Sequence, residues 1–464
     1  MRSHSTRALT VTLALLVAVG PVGAGWEYSG SAGFDGGRAD NPAFEGGCNP
    51  NYNPSSPLCA LPTTDPRYNP AVCEPTISGD AINGDYTGHV GLAGLISGTW
   101  AGTAFDLLYA PGFYVYQTGD LNQLSHMLLS KWIHETSPRG TFVLSEDFSY
   151  TPEQVVDPNA LAEGRVLLNR TTRTTNDTRV GYEHEAGPRT TLGAAYRYSI
   201  RSFGAEPYTD SQSNNVGLRF TGRVSSRTSL GVGYDFSGFA FEDGINPAAV
   251  NAGADAPSTA GLETPVGTYI QQGWVGWGYD STETEELRRP RPGRPGRERR
   301  RGSVLRLAGG WGRLTAPDAQ DGTYSAPYVD GSFAWHTLPV SATIGYLRGL
   351  TDGGGAFSNA ETQNIYADMR MHIAREWIGI LSGSYLVNEQ VEFGEEGSLG
   401  DSKVRTISTR AGVDYDLGEH WVLTGSMTWF HQEICGDPCA LSGHMGIPEL
   451  STFRIVAGFV WYSD

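Results

Sequence analysis

The sequence predicts an all-β chain that forms a transmembrane antiparallel β-barrel. Three observations predict this fold: apolar residues recur at every second position, short turns alternate with long loops, and aromatic residues gather near strand ends. In the segment 228–242, for example, Leu230, Val232, Tyr234 and Phe236 alternate with small or polar residues. Successive side chains of a β-strand point to opposite faces, so this segment has one apolar face and one polar face.

About eighteen segments show this alternation, and a single-chain bacterial barrel needs an even number of strands. Sixteen strands is the alternative, in which the first segment is a plug or one pairing is misread. The predicted strands, in chain order, span residues 26–35, 86–98, 102–116, 123–135, 140–150, 167–185, 190–203, 213–224, 228–242, 265–280, 303–314, 324–336, 339–351, 361–374, 377–391, 403–416, 420–432 and 451–462.

The connections between these segments alternate in length, as they do in outer-membrane barrels. Short turns rich in Ser, Pro, Gly and Arg occur at 137–140, 187–189 and 225–227. Longer polar loops separate the resulting hairpins, as at 151–166 and 243–264. This layout predicts short turns at the periplasmic end of the barrel and long loops at the outer end.

The apolar face is predicted to contact lipid, and the opposite face a water-filled interior. Trp26, Trp377 and Trp421 lie near predicted strand ends, where interfacial aromatic belts occur. A barrel of this size encloses a lumen wide enough for water. Charged residues on the non-apolar positions are the candidates for lining that lumen, and the alternative for each is an ion pair that braces the wall. They are Arg179, Arg197, Arg219, Asp235, Arg306, Asp330, Asp368, Arg370, Arg410, Asp414 and Arg454.

Residues 1–24 have the pattern of a secretory signal peptide. A basic start precedes an apolar run from Ala8 to Val19, and Val22-Gly-Ala24 is a small-residue cleavage site. Residues 25–464 then form the barrel. Because no later run of about 18 apolar residues predicts a helical span, we expect the mature chain in the outer membrane of a Gram-negative cell. Its expected partners there are lipid and the barrel assembly machinery.

Two segments interrupt the alternation. Residues 36–85 are rich in Asn, Pro and Gly, and we expect them to form a long outer loop that carries three Cys. Residues 281–302 form an Arg-rich loop on the periplasmic side. This run is either a solvated insertion or a docking site for an acidic partner, such as a periplasmic polysaccharide-export component. The docking candidates are Arg288, Arg289, Arg291, Arg294, Arg297, Arg299, Arg300 and Arg301.

The five Cys form an odd set, so at least one of them is unpaired or pairs between chains. Export to an oxidising compartment favours disulfides. Cys435 and Cys439 are close enough in sequence to close a tight loop, and Cys48 could pair with Cys59 or Cys73. The spacing does not favour a zinc site, since no paired C-x-x-C pattern is present.

The sequence does not predict an enzyme, a cofactor site or a nucleic-acid binder. The ten His lie in neither a G-x-S-x-G nor an H-E-x-x-H setting. Gly353-Gly-Gly355 precedes no predicted helix and therefore makes no phosphate cradle. The formal net charge of -17 argues against binding to nucleic acid.

The segment Ala104–Thr151 resembles a group of outer-membrane β-barrel porins whose members are associated with bacterial exopolysaccharide export. The resemblance lies in "FDLLYAPGFYVY" at 105–116, in "DLNQLSH" at 120–126 and in "LSEDFSYT" at 144–151. The hairpins from Arg179 to Phe241 also look like this group. The resemblance implies a passage through the outer membrane and supplies no catalytic motif.

The expected function is therefore an outer-membrane pore, with secretion of a polysaccharide as the main hypothesis. Aromatic residues on the lumen positions, namely Tyr114, Tyr116, Phe239 and Phe241, would offer faces to sugars or fill the wall. A general diffusion porin for small solutes is the first alternative. A structural or adhesion barrel with binding surface loops is the second.

Overall fold

The computed structural model is a closed antiparallel β-barrel. It describes residues 25–39, 47–48, 76–77, 85–116, 122–152, 172–203, 210–241, 267–286, 298–316, 322–337, 339–351, 360–392, 398–418, 420–435 and 449–462. Eighteen long strands in this part of the chain pair with their sequence neighbours, and the first also pairs with the last, which closes the ring. The prediction of eighteen strands is confirmed, and the alternative of sixteen is not needed.

The strands follow one another around the barrel in chain order. Two short pieces, β2 and β3, pair as a separate two-stranded sheet, and β13 extends the ladder of β14. The strands are β1 (Gly25–Ala39), β2 (Gly47–Cys48), β3 (Thr76–Ile77), β4 (Asp85–Trp100), β5 (Thr103–Tyr116), β6 (Gln123–Ser137), β7 (Gly140–Pro152), β8 (Thr172–Gly187), β9 (Thr190–Phe203), β10 (Ser211–Arg223), β11 (Thr228–Phe241), β12 (Gly267–Asp280), β13 (Glu283–Glu286), β14 (Glu298–Ala316), β15 (Gly322–His336), β16 (Val340–Thr351), β17 (Ala360–His372), β18 (Trp377–Glu392), β19 (Ser398–Asp416), β20 (Trp421–Cys435) and β21 (Glu449–Tyr462).

The register places one residue parity of every strand on the outer face. Across β10 and β11, for example, Val216 lies opposite Phe236 and Leu218 lies opposite Tyr234. Large apolar side chains on this parity are exposed on most of the strands, including Leu218 at 54%. An exposed apolar belt on a closed ladder is the arrangement that hydrocarbon requires, since the backbone polar groups pair within the wall. The chain is therefore an outer-membrane barrel.

Aromatic residues are concentrated on the outer face at the short-turn end. The rings of Trp26 and Trp100 lie 6.0 Å apart, those of Trp377 and Tyr415 lie 4.5 Å apart, and Trp421 contacts Phe459 at 5.7 Å. Trp and Tyr prefer the membrane–water interface because one part of each ring system is apolar and the other forms hydrogen bonds. These contacts mark the level of one membrane surface, which by barrel convention is the periplasmic one.

The two interrupting segments begin and end in strands. β1 continues to Ala39 and β4 begins at Asp85. Residues 36–39 and 85, which were expected in the 36–85 loop, therefore belong to strands of the barrel wall. The 281–302 insertion continues as the β13–β14 ladder, in which Glu283 lies opposite Arg301. The expected signal peptide 1–24 lies outside the described residues, as does Cys439, and the disulfide with Cys435 stays a prediction.

The described part of the chain contains no helix that is both long and apolar enough to cross a membrane. It also contains no group of three or more His, Cys, Asp or Glu residues placed to hold a metal ion.

Replacing Leu218 by Arg should destabilise the folded barrel by about 2–4 kcal/mol, the cost of a cation on the lipid face near mid-membrane. Urea unfolding in phospholipid vesicles would measure this cost. Thr221→Arg is the matched control because Thr221 pairs with Gly231 on the interior parity of the same strand. Equal costs for the two substitutions would contradict the assignment of faces.

Candidate functional site: the barrel interior

All eleven charged residues expected on the lumen parity lie on the interior face. The register links them in rows, such as Arg410 opposite Ser382 and Ser382 opposite Asp368. Six of the eleven are well exposed to solvent within the barrel: Arg179, Arg219, Arg306, Asp330, Asp368 and Arg370. The other five are half-buried: Arg197, Asp235, Arg410, Asp414 and Arg454.

Several interior charges also brace the wall through pairs with neighbouring strands. The Arg197 guanidinium lies 2.8 Å from the carboxylate of Asp177, which is almost fully buried. Arg219 pairs with Glu183 by reaching across β9, where Gly193 leaves room for its side chain. Both acceptors occupy the interior parity of β8, where a search of the sequence for charges opposite the arginines finds them.

A second interior cluster joins β1, β4, β5 and β21. The Asp35 carboxylate lies 3.0 Å from Nδ1 of His89 and 3.8 Å from the Arg454 guanidinium. The His89 ring stacks on Tyr114 with centroids 4.3 Å apart. Tyr114 is one of the aromatic residues expected to face a sugar, and here its ring contacts the His89 ring.

Two aromatic side chains lie against the inner wall where a glycine sits opposite. The Trp274 ring covers Gly233, and its Nε1–H donates a hydrogen bond of 2.9 Å to Asp235. The Tyr366 ring covers Gly345 in the same way. A side chain at either glycine would overlap the ring, so these glycines keep the aromatic groups close to the wall.

The interior divides into two parts along the barrel axis. Towards the short-turn end, charged side chains such as Arg306, Asp330 and Asp368 are exposed. Towards the long-loop end, interior-facing residues of β17–β20 are at most 3% exposed, and they are Thr362, Asn364, Leu386, Asn388, Val404, Thr406, Ser408, Phe430 and Gln432. The open space of the interior therefore narrows towards the long-loop end.

At the long-loop ends of β16–β18, the side chains on the parity that should contact lipid are also buried. On β16, Ile344 is 53% exposed, whereas Leu350 on the same parity is 8% exposed. On β17, the exposed fraction falls from 47% at Ile365 to 1% at Glu361. The strands continue through this change, so strand periodicity alone did not predict it. Two signals are available in the sequence: Pro327, which cannot donate to a ladder, stands in the middle of β15, and the charged residues Glu361 and Glu389 occupy the parity that is apolar elsewhere.

The predicted docking residues divide between described and undescribed parts of the chain. Arg299, Arg300 and Arg301 lie on β14, where it extends past the barrel to pair with β13 at the short-turn end. Arg288, Arg289, Arg291, Arg294 and Arg297 lie outside the described residues. Docking of a periplasmic partner at this insertion stays a prediction.

No family model matches the chain, and no curated protein matches it. Among solved structures, OpdK from Pseudomonas aeruginosa with vanillate matches at 10% identity and a TM-score of 0.43, covering 94% of this chain and 99% of that one. OccAB3 from Acinetobacter baumannii matches at 9% identity and 0.41, covering 94% and 100%. The siderophore receptor PirA from Pseudomonas aeruginosa matches at 9% and 0.40, covering 94% and 80%.

None of the three comparisons supports the expected association with exopolysaccharide export. The assignment as an outer-membrane barrel rests instead on the closed ladder and the apolar belt described above.

Replacing Gly345 by Ala should destabilise the barrel by about 1–3 kcal/mol, because the added methyl group displaces the Tyr366 ring. Unfolding in vesicles would measure the change. Gly231→Ala is the control, since its nearest neighbour would be a backbone oxygen at 3.5 Å, an ordinary contact. Measured in a Tyr366→Ala background, the Gly345→Ala change should cost much less, and an equal cost in both backgrounds would contradict this origin.

Proposed function

We propose that the chain is a passive pore through which small polar solutes cross the outer membrane. The observation that supports this most directly is the pairing of an apolar outer belt with an interior whose charged side chains are exposed to solvent. Water inside the barrel keeps those charges hydrated, and a hydrated path is what a polar solute needs to cross the bilayer.

The distribution of charge favours weak contacts rather than tight capture. Interior cations are concentrated on β8–β10, at Arg173, Arg179, Arg197, Arg201, Arg219 and Arg223. Carboxylates predominate on β11–β17, at Asp235, Asp280, Asp330 and Asp368, with Arg306 and Arg370 among them. Adjacent sectors of opposite charge orient polar solutes without retaining them, because neither sign surrounds the path.

A small solute fits this interior better than a polymer does. A polysaccharide would have to pass as a chain through the section near the long-loop end, where the interior-facing residues of β17–β20 are buried. The general diffusion porin, which was the alternative expectation, is therefore the function proposed here in place of polysaccharide secretion.

Purified protein in a planar lipid bilayer should produce stepwise increases in current as single molecules insert. A structural or adhesion barrel, the remaining alternative, would insert without conducting. Protein that is folded by its resistance to urea and yet gives no current in any salt would overturn the pore function.

Arg306→Glu should make the pore more selective for cations, because it exchanges an exposed interior cation for an anion. The measurement is the reversal potential in a KCl gradient, which should shift towards the potassium equilibrium potential. Arg38→Glu serves as the control, since Arg38 lies opposite Ile455 on the outer face. An equal shift in both variants would mean that the interior charge does not act on the permeating ions.

A further inference from the structure

The wall of the barrel separates into two layers at one seam. The ladder between β15 and β16 runs from His336↔Ser341 only as far as Val329↔Arg348, whereas β14 and β15 stay paired up to Ala316↔Gly322. β16 remains paired with β17 up to Thr351↔Ala360. Residues 322–328 of β15 therefore have no partner on β16 in the described chain, which is where Pro327, without an N–H, is tolerated.

Beyond the seam, the ends of β16–β18 lie inside the barrel, against the inner face of β14 and β15. A Cβ at Gly312, on the interior parity of β14, would lie 3.3 Å from Cδ1 of Leu350, on the outer parity of β16. Contact between these opposite faces requires one layer to lie inside the other. The layers enclose an apolar cluster of Ile270, Leu314, Ala326, Leu350 and Val391, with Phe239 and Tyr324 at its margin.

A buried carboxylate links the two layers. Glu361 of the inner layer is 1% exposed and accepts a hydrogen bond of 2.7 Å from the Tyr324 hydroxyl of the outer layer. Its other oxygen accepts from Nε of Arg348 at 2.5 Å. A charge removed from water is stable only when it is paired and hydrogen-bonded, so Glu361 requires both partners. We call Tyr324, Glu361 and Arg348 the latch.

The next residues in the same row are also paired. Glu361 lies opposite Glu389 of β18, and Glu389 lies opposite Lys403 of β19, with which it forms an ion pair. Together with Arg348, which lies on the same parity of β16 two residues before Leu350, this row places two cations and two carboxylates on the outer parity of four adjacent strands. Outer-parity residues nearer the short-turn end of these strands, such as Ile344 and Tyr385, are apolar and exposed. A charged row in that position is consistent with a face that has left the lipid.

We propose that this inward-folded section, made of residues 349–351, 360–363 and 387–391, sets the size limit of the pore and that the latch holds it in place. The inference rests on the proposed pore function and identifies the part of the pore that selects solutes by size. The section occupies interior cross-section that a single-layered wall would leave to water. It lies between the exposed charges of the short-turn half and the long-loop mouth, so a solute has to pass it.

The test is single-channel recording with graded polyethylene glycols, comparing the wild-type chain with Glu361→Ala and Leu350→Asp. The first variant removes the latch acceptor, and the second places a carboxylate in the apolar cluster. Both should raise the conductance about twofold or more, since current grows with pore cross-section, and should admit larger glycols. Glu433→Ala is the matched control, because it removes an exposed pair with Arg405 at the same end of the barrel.

A reversible cross-link separates release of the section from general loosening of the barrel. Gly312→Cys and Leu350→Cys, added to Glu361→Ala, should restore the small conductance when oxidised and return the large one after dithiothreitol. Glu361→Ala without the added cysteines should conduct equally with and without the reductant, which controls for the native cysteines.

Wild-type current with unchanged conductance and size limit in both variants overturns the role of the section and leaves the pore function standing. Current in the variants but none in the wild type overturns both the open wild-type pore and its size limit, because the section would then close the path. Folded protein without current in every variant overturns the pore and the size limit together.

Discussion

Backbone polar groups cannot reach water inside a bilayer, and the rest of this structure depends on that constraint. A β-sheet satisfies this constraint only by closing into a barrel, and in this chain the pairing of β1 with β21 closes it. Closure in turn gives every strand one face towards lipid and one towards the interior. Within the described chain the ladder between adjacent barrel strands is shortest between β15 and β16, and its missing end lies near the long-loop rim. There a second layer covers the wall in place of a continued ladder.

Some of the charged side chains in the interior are hydrated, and others form ion pairs that hold neighbouring strands together. Charges near the short-turn end are exposed, while others such as Asp177 are held by an arginine on the next strand. Small residues permit this arrangement, since Gly193 lets Arg219 cross one strand to reach Glu183. The same side chains can therefore hold the wall in shape and form the surface that a solute meets, which explains why their spacing alone does not separate the two roles.

The double layer gives the barrel a constriction made of strands. Sheet packed on sheet through an apolar cluster is a common way to build a domain core, and here it occupies part of a lumen. The polar latch at its margin makes the packing specific, because Glu361 needs donors from both layers. A constriction of this kind is continuous with the wall, so its position depends on register and side-chain packing.

The sequence by itself determined the barrel, its eighteen strands and the alternation that separates the apolar parity from the parity of the eleven charged residues. All of these follow from a period of two, which is a local property of the chain. Tertiary structure alone decided which charges pair and where the β15–β16 ladder ends. It also decided that Leu350 and Glu361 are buried although they lie on the outer parity of their strands. These depend on the register between strands and on contacts that skip a strand, such as Tyr324 with Glu361. Alternation along one strand carries no information about either.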